Sequence, residues 1–99
     1  MNTLKWLENW FVQNCDGEWE HHNGIKVLTL DNPGWLIEID LEGTVCEEKF
    51  FKDFKLEKSD EDWIFCKVRD NKFFGYGSVN NLTVILEVFR NWVKLVEGF

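Results

Sequence analysis

The chain has 99 residues, of which 44% are hydrophobic and 16% aromatic, and its formal net charge is −7. Six Trp and nine Phe against one Pro exclude a disordered or low-complexity segment, because such segments lack the apolar surface that offsets ordering entropy. No apolar run approaches the ~20 residues that a bilayer span requires, and the length predicts one domain over residues 1–99.

The N-terminal segment is expected to form a helix that lies on a sheet. Apolar residues recur there at steps of three and four, with a second aromatic stripe beside them: Leu4, Leu7, Phe11 and Cys15, then Trp6 and Trp10. Asn2 or Thr3 can cap the helix start, and Gly17 can end it. These first residues also lack the pattern of a secretory signal, which predicts a cytoplasmic protein.

Residues 18–77 are expected to form antiparallel strands. The β-prone segments are residues 25–30, 35–41, 50–57, 63–68 and 72–77. In the second of them, Glu38 and Asp40 alternate with apolar residues, which is typical of a strand with one wet face. The Asp31–Gly34 segment before it favours a type II turn, with Pro33 and Gly34 at its centre. Because no long helical segment separates the strands, an antiparallel meander is predicted.

The last segment has the strongest helical period. Asn80 or Asn81 can cap it, Gly98 can end it, and its apolar positions are Leu82, Ile85, Leu86, Phe89, Trp92, Val93 and Val96. The predicted fold is therefore a two-layer α+β domain. A meander of about four to six strands carries the N-terminal and C-terminal helices on one face.

The negative charge is concentrated in the first half of the chain. Residues 1–50 contain ten acids and three Lys, whereas residues 51–99 contain eight acids and eight bases. Such a surface repels nucleic acid and anionic membranes and attracts basic partners. An acidic face that only aids solubility is the alternative interpretation, and the sequence does not decide between them.

The residues that could carry chemistry form no convincing catalytic, metal or cofactor site. His21 and His22 are neighbours, and on a strand they would point to opposite faces, so they are not expected to share a metal. The three cysteines are widely spaced and read as reduced, buried thiols rather than as disulfides, a zinc site or a nucleophile. The Gly75-Tyr76-Gly77 segment lacks the remainder of a dinucleotide fingerprint. No enzyme activity and no cofactor are therefore predicted.

Nearly the whole chain resembles the immunity protein 53 family. In the first half the resemblance rests on CDGEWEH at 15–21, Gly24-Ile25, TLDNPGW at 29–35 and IDL at 39–41. In the second half it rests on Asp62-Trp63, Cys66, FGYG at 74–77, Asn81-Leu82, Phe89 and Trp92. Asn23 departs from the pattern, which has an aromatic residue before the glycine.

The resemblance implies a bacterial immunity protein of a polymorphic-toxin system, which binds the C-terminal domain of its cognate toxin. If that domain is a basic nuclease, acidic groups of the first half could fill its groove. We expect the partner-binding residues to be Glu18, Trp19, Glu20, His21, Asp31, Asn32, Glu38 and Asp40, with Trp19 and His21 as anchors. A small thiol enzyme of the sulfurtransferase type and a small-ligand-binding module remain as alternatives.

Overall fold

The chain forms two long helices, one short helix and five strands, and the computed structural model describes residues 2–98. The element bounds are α1 Thr3–Asn14, α2 Trp19–His22, β1 Ile25–Leu30, β2 Gly34–Asp40, β3 Phe54–Ser59, β4 Asp62–Arg69, β5 Lys72–Gly77 and α3 Leu82–Val96. The predicted α+β class, with a helix at each end of an antiparallel sheet, is confirmed.

Helix α1 begins where the sequence predicts, but it buries a different stripe. The Asn2 side chain accepts a hydrogen bond from the Lys5 N–H at 3.0 Å, which caps the helix. Leu7 and Trp10 are buried, whereas Leu4 is 58% exposed. The buried stripe is rotated away from Leu4 because the Trp10 ring packs edge-on against Phe89 of α3, with centroids 5.1 Å apart.

The five antiparallel strands are ordered β1-β2-β5-β4-β3, so the sheet departs from a sequential meander. Strand β2 pairs with β5, and β3 lies at the far edge. The residue types explain the order. Strand β3 is exposed at every position and half of its residues are charged, which suits an edge. Strand β5 alternates buried and half-buried residues, as a central strand does.

The predicted type II turn between β1 and β2 is wrong. Gly34 is the first residue of β2 and does not have a positive φ, and the Asn32–Pro33 peptide bond is cis. Gly34 is required for a different reason, namely the close approach of β5. A Cβ at this position would lie 2.5 Å from the Gly77 carbonyl oxygen, which is closer than the backbone allows.

Both long helices cover the same face of the sheet and enclose one hydrophobic core. Ile37, Ile39 and Phe73 from the sheet are fully buried there together with Ile85 and Phe89 from α3. The Phe73 and Phe89 ring centroids are 5.0 Å apart. The centre of the space between the helices and the sheet is therefore filled by side chains. A mostly apolar groove of about 360 Å³ remains at its edge, between α1 and the start of β1.

The segment between β2 and β3 carries the chain from the middle of the sheet to its edge on the helix side. Cys46 is fully buried in the core, and the Phe51 ring packs against Phe73 and Trp92. The Trp92 indole N–H donates to the Phe50 carbonyl oxygen at 2.9 Å. These contacts hold the segment under α3 and leave the opposite face of the sheet open.

Helix α3 packs directly on β5 because two glycines leave room for Ile85. A Cβ at Gly75 would collide with a methyl group of Ile85, and one at Gly77 would lie 2.7 Å from another. We expect Gly75→Ala to lower the free energy of unfolding by about 1–3 kcal/mol, because overpacking forces helix and sheet apart. Urea denaturation followed by tryptophan fluorescence measures this change.

Gly24→Ala is the matched control for this substitution, since a Cβ there meets no atom within 4 Å. The control is expected to denature within error of the wild type. Equal stabilities of the Gly75 and Gly24 variants would contradict the packing described here.

Candidate partner-binding surface

The structure places the eight predicted partner-binding residues in three separate regions. Four lie at or beside α2, two in the β1–β2 turn, and two on β2 itself. Strand β1 runs from the α2 end of the sheet to the turn, and its six residues span roughly 20 Å. The eight residues therefore do not form one continuous acidic patch.

The α2 region is a short helix, whereas the sequence pattern predicted a strand. The Asp16 carboxylate accepts the N–H groups of Glu18 and Trp19 at 2.9 and 2.8 Å. In return, the Glu20 carboxylate accepts those of Asp16 and Gly17 at 3.0 and 2.8 Å. Two carboxylates thus pair the backbone N–H groups at the helix start, as a capping box does.

Hydrogen bonds from backbone N–H groups also favour the ionised form of both carboxylates. Bonds from the Trp19 and Glu18 N–H groups lower the pKa of Asp16 below its ordinary value. Bonds from the Glu20 backbone N–H, then from those of Asp16 and Gly17, lower the pKa of Glu20. The predicted residue Glu20 therefore stabilises the turn between α1 and α2.

Trp19, predicted as a surface anchor, is a core residue that is only 8% exposed. Its indole N–H donates to the Glu42 carbonyl oxygen at 2.6 Å, and its ring packs edge-on against Trp10 and Phe11. Glu18 and His21 beside it are exposed. A depression of about 540 Å³ lies over this indole, lined by Asp16, Glu18, Trp19, His22, Asn23, Glu42 and Gly43.

Asp31 and Asn32 are exposed in the β1–β2 turn at the other end of the sheet. Asn32 lines a cleft of about 570 Å³, together with Asp60 and Glu61 of the turn between β3 and β4. The sequence interpretation missed these two acids because it considered only the charge excess of residues 1–50. The run of charges at Ser59–Asp62 was the signal that could have found them.

Glu38 and Asp40 share the face of β2 that points away from the helices, as the alternation predicts. Glu38 lies 3.5 Å from the Lys26 ammonium, and Asp40 lies 3.4 Å from that of Lys72. Asp40 also accepts the Gly24 N–H at 2.9 Å. Each carboxylate is thus balanced by a lysine on a neighbouring strand, so the pair adds little net charge to this face.

The model of the immunity protein 53 family matches residues 4–94, which is most of the chain. The chain belongs to the immunity protein 53 family. Membership of the family implies a toxin-neutralising role and a cognate toxin as partner. Neither the comparison with curated proteins nor that with solved structures gave a match.

Two of the three thiols of this immunity protein 53 family member are held in their neutral form. Burial raises the pKa of Cys46 and of Cys66 to about 12. Partial burial, then the charges of Glu20 and Asp16, raise the pKa of Cys15. A nucleophilic cysteine needs the opposite environment, one that stabilises the thiolate.

Residues 2–98 hold neither a cluster of metal ligands nor a membrane-spanning helix. No three His, Cys, Asp or Glu residues within this range are placed to hold a metal ion together. None of the helices in the same range has the length and apolar character needed to cross a membrane.

We expect native-state labelling to distinguish the three thiols. Cys46 and Cys66 should react with iodoacetamide at least ~100-fold more slowly in the native protein than in urea, because they are buried and protonated. Cys15 should react first, since it is partly exposed. Mass spectrometry of quenched samples measures each rate, and a Cys15→Ser variant is the control. Fast native labelling of Cys46 or Cys66 would contradict this assignment.

Proposed function

We propose that this protein binds the C-terminal domain of a cognate bacterial toxin in the cytoplasm and neutralises it by protein–protein contact, without catalysis. The match to the immunity protein 53 family over residues 4–94 carries this proposal. The thiols support it further: burial raises the pKa of Cys46 and Cys66 to about 12, and the pKa of the partly exposed Cys15 is also raised. A sulfurtransferase-type enzyme would need a stabilised thiolate instead. The groove between α1 and β1 is open and mostly apolar, so it offers few of the converging polar groups that a ligand-binding module needs.

The acidic surface of this proposal is formed by two groups of exposed carboxylates, one at each end of the sheet. Glu18 and Glu42 lie at the α2 end. Asp60 and Glu61 line the cleft at the other end, where Asp31 is also exposed. None of these five carboxylates takes part in an ion pair within residues 2–98. Their charges are therefore available to attract a basic partner.

The proposed role of these carboxylates is to speed the encounter with the toxin. Unpaired charges on one partner steer a complementary partner by long-range attraction, and this raises the association rate more than the lifetime of the complex. A basic nuclease domain fits such a field, because its substrate groove attracts polyanions. The same negative field repels nucleic acid and anionic membranes, so neither is proposed as a partner.

The first test is association with the toxin domain encoded beside the gene, in a catalytically inactive form. The triple variant Asp31→Asn/Asp60→Asn/Glu61→Gln should lower the association rate by about tenfold at low salt, with a weaker salt dependence. Its dissociation rate should change little. Surface plasmon resonance at several salt concentrations measures both rates.

The matched control removes three carboxylates elsewhere, with Glu8→Gln/Glu87→Gln/Glu97→Gln on or beside the two long helices. It has the same change in net charge and should retain most of the wild-type association rate. Equal losses in the two triple variants would show that only the total charge matters. A wild-type protein that neither binds the toxin domain nor protects cells expressing the active toxin would contradict the proposed function.

A further inference from the structure

The sheet face turned away from the helices is uncovered and apolar at its centre. Cross-strand pairing aligns one row of large side chains over four strands: Leu28, Leu36, Tyr76 and Phe65. Phe74 lies in the next row, beside Lys67. Leu28 is 50% exposed and the others are half-buried. Both long helices and the segment after β2 pack on the other face, so these side chains meet solvent.

A single lysine stands among the aromatic rings of this face. The Lys67 ammonium lies about 6 Å from three ring centroids, at 6.0 Å from Phe65, 5.9 Å from Phe74 and 6.0 Å from Tyr76. The Phe65 and Tyr76 rings are themselves stacked, with centroids 6.2 Å apart. The ammonium therefore sits over apolar surface, where ring faces replace part of its hydration.

Lys67 is also the one cation on this face without a carboxylate partner within residues 2–98. The other cations are matched by carboxylates, as Lys26–Glu38, Lys72–Asp40, Arg69–Asp53 and Lys55–Glu57. The pKa of Asp53 is lowered mainly by Arg69 and slightly by the charge of Lys67. Both oxygens of Asp53 accept hydrogen bonds from Arg69, so Asp53 is the partner of Arg69. The face therefore carries one cation more than carboxylates, in a chain whose net charge is −7.

We propose that the cognate toxin domain docks on this face and places a carboxylate against Lys67, within an apolar patch that covers Leu28, Leu36 and the three rings. The inference rests on the proposed function and names the surface that performs it. The complementarity is specific, because Lys67, an unpaired cation within apolar side chains, matches a carboxylate of the toxin domain that is also surrounded by apolar side chains. Once the apolar surround excludes water, the two charges attract more strongly than in bulk water, which offsets the cost of desolvating them.

A second copy of this chain fits the face less well than the toxin does. In a two-fold dimer the same patch meets itself. With a two-fold axis along the central strand β5, Lys67 on β4 would face β2 of the second copy, where Lys26 already pairs the nearest carboxylate, Glu38. With the axis across the strands, the two Lys67 ammonium groups would oppose each other in an apolar interface. Such like-charge contacts are costly. The occupant is therefore a different protein that supplies the anion.

The dimensions of the face are compatible with this role. Five strands about 4.8 Å apart and roughly 20 Å long present a projected area of about 500 Å². A standard interface buries about 800 Å² on each partner and has an apolar centre with a polar rim. The open face supplies the centre, and the acidic groups at the two ends of the sheet lie where a rim would be. The exposed acids then set mainly the association rate of the complex, whereas Lys67 and the rings around it set mainly the dissociation rate.

The test measures binding of the inactive toxin domain to Lys67→Met and Lys67→Glu by surface plasmon resonance. We expect the Kd to rise about tenfold for Lys67→Met and at least ~100-fold for Lys67→Glu, mainly through faster dissociation. Lys55→Met is the matched control. It removes a lysine from the edge of the same face, where the ammonium is 4.0 Å from Glu57, and its Kd should stay within about twofold of the wild type.

Thermal denaturation of each variant shows that it is folded, and Leu28→Ser repeats the test at a half-exposed position if Lys67→Glu is unstable. If the wild type binds and the folded Lys67→Met and Leu28→Ser variants bind with the same Kd, the inference is overturned and the proposed function stands. No binding by the wild type would overturn both. A wild-type dimer that Lys67 variants strengthen or dissolve, seen by analytical ultracentrifugation, would assign the face to a second copy instead.

Discussion

The arrangement of the whole domain depends on the direct contact between Ile85 of α3 and the backbone of β5. Gly75 and Gly77 have no side chains, so the helix settles into the sheet at this point. Strand β5 thereby becomes the central strand beneath α3, with β2 on one side and β4 on the other. The third glycine, Gly34, lets β2 approach β5 closely enough for the two to pair.

One consequence of this packing is that all large elements lie on a single side of the sheet. The helix side holds the buried rings and aliphatic side chains, including Phe73 and Phe89. The other side has no such cover, and within residues 2–98 its charges form pairs within or between strands, except that of Lys67. A stable domain of this kind has one free, nearly neutral face with exposed acids at its two ends, and that division matches the centre and rim of a protein interface.

Features that follow from local periodicity could be predicted from the sequence. The bounds of β1 and β5 and the faces of β2 agree with the patterns, because alternation with period two reports directly which side of a strand is buried. The apolar residues of the last segment recur with the helical period, and they predict helix α3 equally well. The lysine partners of Glu38 and Asp40, in contrast, depend on which strands are neighbours, and that is not a local property.

The errors have long-range causes. The burial of Trp19 depends on a hydrogen bond to the carbonyl oxygen of Glu42, 23 residues later, and on the rings of α1. The position of β5 beside β2 depends on glycines that are distant in sequence. The aromatic rings around Lys67 were not recognised as a surface feature, because Phe and Tyr in a strand are most often core residues.

Hydroxyl-radical footprinting of the protein, alone and bound to the inactive toxin domain, tests the central claim most directly. The account predicts that Leu28, Phe74 and Tyr76 become protected in the complex, while Phe50 and Leu95 on the helix side keep their reactivity. Phe50 is 83% exposed and Leu95 68% exposed, so both report sensitively on any contact there. Protection of these two residues with the open face unchanged would contradict the account.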